Sequence, residues 1–193
     1  MLKYYILSLL AGVSNKIYDD IKDNNLIENK KTKKNVEVIL KILFFICFVL
    51  VSLKYPLYYL CFIIINLQYL YYDNSAYDSY EKNGLLLILL LIPFINWKNT
   101  TDIKKSGIII LLIYLCSYIF EIKSDFIKVE YSLLKLIQRS LLAIANLILF
   151  FVNRKYKLYN DNFVLFNISC IGYFTTSAIF QYILISKNKG VIY

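Results

Sequence analysis

Three carboxylates and two carboxamides lie within ten residues near the start of the chain, which reads Asn15-Lys-Ile-Tyr-Asp19-Asp20-Ile-Lys-Asp23-Asn24. In a helix, Asn15, Asp19 and Asp23 would stand at positions i, i+4 and i+8 and project from one face. Acidic groups gathered in this way repel one another unless a cation lies among them. A divalent metal that holds a phosphate supplies such a cation. The sequence therefore predicts Asp19, Asp20 and Asp23 as metal ligands, with Asn15 as an orienting, substrate-binding group.

A second acidic segment repeats this spacing, because Asp73, Tyr77 and Glu81 also stand at i, i+4 and i+8, with Asp78 between them. Two acidic clusters can hold two metal ions, or one shared ion, over a diphosphate. We expect Asp73 and Glu81 to bind metal and Tyr77 to contact substrate. The expected catalytic carboxylates are Asp19, Asp23, Asp73 and Asp78. In the alternative interpretation, both segments are solvated and their Asp and Asn residues serve in turns and caps.

Two basic residues inside an apolar segment are candidates for binding phosphate oxygens. Lys135 and Arg139 are four positions apart, and a guanidinium matches phosphate geometry bidentately. Arg139 would lie about two turns into an apolar helix, where an arginine is costly to bury unless it meets an anion. The alternatives are a structural ion pair of Arg139 with Glu121 or Glu130, or a side chain that extends to the membrane interface.

The composition is that of an integral membrane protein. Of the 193 residues, 59% are hydrophobic and 18% are charged, and the mean hydropathy is +0.56; soluble domains have about 45–50% apolar and about 25% charged residues. We predict an all-α, polytopic membrane bundle of six or seven transmembrane helices that forms a single domain over residues 1–193. The expected spans after the first helix are 35–53, 56–72, 84–97, 107–121, 132–153 and 162–186. A tight turn at residues 54–56 is expected to join the first two, with Pro56 ending one helix and starting the next.

The first apolar run, residues 2–13, is too short to cross a bilayer alone. One interpretation is a signal peptide, since a lysine precedes the run and small residues follow it. We prefer a helix that enters the bilayer and continues through the acidic segment to about Asn24. Ser8 and Gly12 share a row with acidic side chains of the following turns, so the helix could pack closely against a neighbour. Two further crossings would place both acidic segments on one side of the membrane.

Several classes of chemistry are excluded or disfavoured by residue usage. The chain has no histidine, which excludes His-dependent triads and HExxH zinc sites. Its four cysteines lie in apolar blocks without CxxC spacing, so we expect reduced core residues. The net charge is +9, and lysines beside apolar spans set orientation and contact anionic lipids. We therefore expect membrane lipids, and not nucleic acid, as partners; much of the charge comes from Lys30, Lys31, Lys33 and Lys34.

The spacing of Asn15, Asp19 and Asp23 resembles the NDxxDxxxD signature of the UbiA-type intramembrane prenyltransferases, with Lys16 in place of the second-position Asp. Residues 19–23 are also a DDxxD motif, as in soluble isoprenoid synthases, and residues 73–81 resemble the second acidic loop of the UbiA family. The resemblance implies a helical bundle whose two acidic loops bind Mg²⁺ and an isoprenyl diphosphate, while an apolar groove holds the isoprenyl chain.

Two classes of function remain open from the sequence. The first is a Mg²⁺-dependent membrane transferase that acts on an isoprenyl or lipid-linked diphosphate, with prenyl transfer as the favoured reaction. A CDP-alcohol transferase is disfavoured because the DGxxAR signature is absent. The second class is a non-enzymatic multi-span protein, namely an accessory subunit, scaffold or transporter, whose acidic loops are solvated.

Overall fold

The computed structural model describes residues 1–23, 29–58, 133–157 and 159–187. The expected spans at 84–97 and 107–121, and most of the span at 56–72, lie outside these ranges. The described residues form four long helices, which confirms the all-α prediction for this part of the chain. The helices are α1 (Leu2–Asp23), α2 (Lys30–Ser52), α3 (Leu133–Tyr156) and α4 (Asp161–Lys187).

Helix α1 joins the apolar start of the chain to the acidic segment without a break. The Ser14 hydroxyl, which could compete with the helical backbone, donates instead to the Leu10 carbonyl at 2.7 Å. The prediction of one helix that continues to about Asn24 is confirmed as far as Asp23. The 22 residues of α1 extend over about 33 Å.

Helix α2 begins at Lys30, five residues before the start of the span expected at 35–53, because a side-chain cap lies earlier in the chain than the apolar residues do. The Asn29 side chain caps the first turn by accepting hydrogen bonds from the backbone N–H groups of Lys31, at 3.0 Å, and Thr32, at 3.3 Å. The helix ends at Ser52, and residues 56–58 are helical again. Pro56 occupies the first position of this new turn, where its missing N–H costs nothing. The predicted proline-marked turn is therefore confirmed.

A short connection held by side-chain amides joins α3 to α4. Asn153 is buried, and its Oδ1 accepts a hydrogen bond from the Tyr159 backbone N–H at 2.6 Å. Lys157, just after α3, has a φ of 51°, the left-handed conformation in which many helices end. Asn160 then caps α4 by accepting from the Phe163 N–H at 3.2 Å. Because this connection is short, α3 and α4 run antiparallel.

Helix α4 packs against both α1 and α3, and α1 also packs against α2. Helices α1 and α4 run parallel, because Ser8 is bonded to Ser169 and Lys16 lies against Tyr173. Helix α2 runs antiparallel to α1. The "Asp23 end" of the bundle therefore contains the end of α1, the starts of α2 and α3, and the end of α4. The opposite end is called the Met1 end.

The contact between α1 and α4 depends on small residues. A Cβ added to Gly12 would overlap the Ser169 carbonyl, and one added to Gly172 would lie 2.7 Å from the Leu9 carbonyl oxygen. The Ser169 hydroxyl also donates to the Ser8 carbonyl at 2.8 Å. The two backbones therefore approach each other as in small-xxx-small membrane helix pairs. This confirms that Ser8 and Gly12 pack closely against a neighbouring helix.

Within the described ranges, three helices are long and apolar enough to cross a membrane, by length and composition: Lys30–Ser52, Leu136–Tyr156 and Asp161–Ser186. Much of the apolar surface of α2 is exposed in the bundle, as expected for helices that face lipid. The apolar core of the described part lies towards the Met1 end. Its buried members are Val51, Tyr58, Leu149, Tyr159, Phe163, Leu165 and Phe166.

Candidate functional site

The first acidic segment forms the last turns of α1, so the helical spacing predicted for it is present. Asn15, Asp19 and Asp23 lie along one row of the helix, one turn apart. Asn15 is half-buried, and Ala11, one turn earlier on the same row, is fully buried. The side chains of Asp19 and Asp23 lie outside the described part. The row therefore begins inside the bundle and runs out to the Asp23 end.

Asp20 lies on the neighbouring row of α1 and has a cation beside it. Its Oδ1 is 2.9 Å from the Nζ of Lys16, one turn earlier, and both side chains are about nine-tenths buried. The Lys16 ammonium also lies 5.2 Å from the centre of the Tyr173 ring on α4, within the range of a cation–π interaction. This row, which continues from Ser8 and Gly12, faces α4. Lys16 thus neutralises the carboxylate of Asp20, one turn further along α1.

The remaining predicted site residues are only partly within the described residues. Arg139 is half-buried in the second turn of α3, at the Asp23 end and hence at the same end as the acidic row. The side chain of Lys135 lies outside the described part. Residues 73–81 lie outside it as well, so the predictions for Asp73, Tyr77, Asp78 and Glu81 stay predictions.

The donor set of the acidic row has the chemistry that Mg²⁺ prefers, since carboxylate and carboxamide oxygens are hard ligands. Among the side chains that the structure describes, no three His, Cys, Asp or Glu residues gather around one point. Asp19 and Asp23, the central ligands of the prediction, were not among those side chains.

A row of carboxamides in α3 was not identified as a site by the sequence reasoning. Gln138, Asn146 and Asn153 are all buried, with exposed fractions of 1%, 2% and 4%. Asn153 holds the connection to α4, and Asn146 accepts a hydrogen bond from the Asn167 amide at 2.8 Å while donating to the Leu142 carbonyl at 2.8 Å. Asn167, which lies in the last expected span, is thus hydrogen-bonded to the neighbouring helix.

Gln138 differs from the other two carboxamides. Neither its Nε2 nor its Oε1 has a hydrogen-bond partner among the described residues, although both atoms are buried. A buried amide in this state costs about 1–3 kcal/mol. A periodic count could have placed Gln138 on the row of Asn146, but burial and the lack of a partner depend on how the helices pack.

Ser169 connects three parts of the bundle. Its hydroxyl is 2.7 Å from the Tyr58 hydroxyl and 2.8 Å from the Ser8 carbonyl oxygen. All three residues are fully or almost fully buried. Towards the Met1 end, burial raises the pKa of Tyr159 from 10.0 to about 12. These groups fix the helices in place, and their positions near the Met1 end separate them from the acidic row.

Four features thus lie towards the Asp23 end: the acidic row, the Lys16–Asp20 ion pair, the half-buried Arg139 and the buried amide of Gln138. Carboxylates that hold a metal, and cationic or amide donors, are two kinds of group that bind phosphate. Comparisons with protein-family models, curated proteins and solved structures found no match.

Proposed function

We propose that the chain is an integral, multi-pass membrane protein of six or seven transmembrane helices that acts as a Mg²⁺-dependent transferase on an isoprenyl or lipid-linked diphosphate. The observation that carries this proposal is the continuity of α1 through its acidic segment, which keeps Asn15, Asp19 and Asp23 in one row at one end of the bundle. Prenyl transfer is the favoured reaction, because the resemblance to UbiA-type prenyltransferases implies it.

The spacing of the row limits how a metal could be shared. Successive members are about 6 Å apart along the helix axis, and Asn15 and Asp23 are about 12 Å apart. Since Mg²⁺ binds oxygen at about 2.1 Å, one ion can join Asp19 and Asp23 but cannot also reach Asn15 directly. A diphosphate extends further than one ion and could contact Asn15 while its metal is held by the two carboxylates.

Each remaining residue then has a role that its chemistry permits. Asp20, beside Lys16, adds little net charge, and its part in metal binding is secondary. Asp73, Asp78 and Glu81 would form the second carboxylate cluster, with Tyr77 near the substrate, while Arg139 and Lys135 would bind phosphate oxygens. Bound Mg²⁺ would neutralise the diphosphate and so favour its departure from an allylic carbon. The residues themselves would orient the diphosphate and hold it at the end of the bundle.

A specific observation favours a second candidate, a non-enzymatic accessory subunit, scaffold or transporter. Several buried polar groups of the bundle bond to one another: Asn146 to Asn167, Ser169 to Tyr58 and Ser8, and Lys16 to Asp20. Such contacts stabilise membrane helix pairs without any ligand. In this case the acidic row is simply solvated.

Binding of a non-ionising thio analogue of geranyl diphosphate to the purified chain in lipid nanodiscs separates the two candidates. The transferase proposal predicts binding with Mg²⁺ and none with excess EDTA. It also predicts that Asp19→Asn and Asp23→Asn each weaken binding about tenfold or more, equivalent to about 1.4 kcal/mol.

Asp161→Asn is the matched control, because it removes an exposed carboxylate at the start of α4, at the Met1 end. It should bind the analogue as the wild type does. Equal binding by wild type, Asp19→Asn and Asp23→Asn, or no metal-dependent binding at all, would support the non-enzymatic candidate instead.

A further inference from the structure

Gln138 is as buried as a core residue, yet its side-chain amide makes no hydrogen bond within the described part of the chain. Its exposed fraction is 1%, and neither amide atom has a hydrogen-bond partner among the described residues. Buried polar side chains nearly always have partners, and an exception calls for an explanation such as strain, a functional role, or a bound water or ion. Asn146 and Asn153 on the same row are hydrogen-bonded. Other buried polar atoms of the described residues also have no partner, but Gln138 is the one carboxamide among them whose nitrogen and oxygen are both without one.

The position of Gln138 places it at the level of the charged groups of α1. Asn146 meets Asn167 across the antiparallel α3 and α4, and Gln138 lies two turns, or about 12 Å, from Asn146 towards the Asp23 end. Two turns beyond Asn167 on α4 is Thr175, close to Tyr173, against which Lys16 lies. Measured along the helix axes, Gln138 therefore lies within about one to two turns of the level of the Lys16–Asp20 pair.

We propose that Gln138 is a substrate-binding residue that contacts the diphosphate group of the bound lipid; this inference rests on the proposed function. The Nε2 group offers two donors, which suit phosphate oxygens, and Oε1 can accept from water that hydrates the diphosphate. The amide carries no charge, so it binds the diphosphate without adding repulsion towards the metal. Its neighbour Arg139, half-buried at the same end of the bundle, supplies the positive charge.

The variant Gln138→Leu distinguishes a binding residue from a structural one. Because it removes an amide without partners, it should raise the melting temperature of the ligand-free protein, while binding of the geranyl diphosphate thio analogue with Mg²⁺ should weaken about tenfold or more. Asn146→Leu is the matched control. It leaves the Asn167 amide without its partner, so it should lower the melting temperature and leave binding near the wild-type value.

The outcomes separate this inference from the proposed function. Wild-type binding that Gln138→Leu leaves unchanged overturns the role of Gln138 alone and assigns its amide to a buried water. Loss of binding in Gln138→Leu with a lowered melting temperature also overturns it, since the amide is then a structural group. Should the wild type bind no analogue with Mg²⁺, the proposed function fails and the inference fails with it.

Discussion

Lys16 and Asp20 lie one turn apart in α1, and their charged atoms are 2.9 Å apart in a site about nine-tenths buried. Removing two charges from water is costly, and their attraction offsets that cost only while both are present. The pair neutralises Asp20 within the protein, whereas Asp19 belongs to the row that leads to the Asp23 end. The central claim therefore depends on Asn15, Asp19 and Asp23 more than on Asp20.

We expect Lys16→Met to destabilise the protein by about 3 kcal/mol, because it leaves the Asp20 carboxylate buried without this cation. The double variant Lys16→Met/Asp20→Met should recover most of the loss, since no charge then remains in the site. The free energies of unfolding in mixed micelles provide the measurement. A Lys16→Met protein as stable as the wild type would show that the ion pair has no structural role.

Some of these residue roles are readable from the sequence and others are not. The row of Asn15, Asp19 and Asp23 follows from helical spacing alone. The same spacing permits an ion pair between Lys16 and Asp20, although the sequence reasoning assigned Asp20 to the metal. The depth of a side chain in the bundle depends instead on which helix covers it. For this reason the Asn146–Asn167 bond and the unpartnered amide of Gln138 emerge only when α3 and α4 are seen together.

At the scale of the helices, the crossing of α1 and α4 fixes how the acidic row is presented. Gly12 and Gly172 allow the two backbones to meet where any Cβ would intervene. The sequence predicted this closeness from Ser8 and Gly12, and it predicted the turn at Pro56 from local signals. It could not identify the partner of α1, because α4 lies more than 130 residues later in the chain.

We predict that Gly12→Ala destabilises the protein by about 1–3 kcal/mol, since the new methyl group would force α1 away from the Ser169 carbonyl. The direction of the stability change is informative, because replacing glycine by alanine would stabilise an unconstrained helix by about 1 kcal/mol. Thermal unfolding in detergent measures the change, with Ser186→Ala at an exposed position of α4 as the near-neutral control. A Gly12→Ala protein that is more stable than the wild type would contradict the close crossing.

The connection between α3 and α4 gives a prediction in the alkaline range. Burial raises the pKa of Tyr159 from 10.0 to about 12, so the phenol stays protonated in the folded protein at a pH where the unfolded chain ionises. The stability it contributes is present below pH 10 and is lost as the pH rises towards 12, by about 2–3 kcal/mol in all. Tyr159→Phe should lack this part of the loss. Unfolding curves between pH 9 and 12 measure it, and identical pH profiles for the two proteins would contradict the raised pKa.

At the scale of the whole molecule, the two ends of the four described helices differ in the residues they contain. The apolar core, Ser169 with its partners, and the amide-held connection lie towards the Met1 end, where they fix the helices. The acidic row, Arg139 and Gln138 lie towards the Asp23 end, next to the lysines that begin α2. Under the proposed function, the Met1 end would hold the helices together while the Asp23 end would bind the charged head of a lipid diphosphate.

The most direct test of the central claim is the coupling between Mg²⁺ and the diphosphate in one titration series. The dissociation constant of the geranyl diphosphate thio analogue would be measured in nanodiscs across Mg²⁺ concentrations, and that of Mg²⁺ across analogue concentrations. The account predicts that Mg²⁺ increases the affinity for the analogue by the same factor by which the analogue increases the affinity for Mg²⁺. Asp23→Asn should reduce this factor. An analogue affinity that is the same in excess EDTA as in saturating Mg²⁺ would contradict the account.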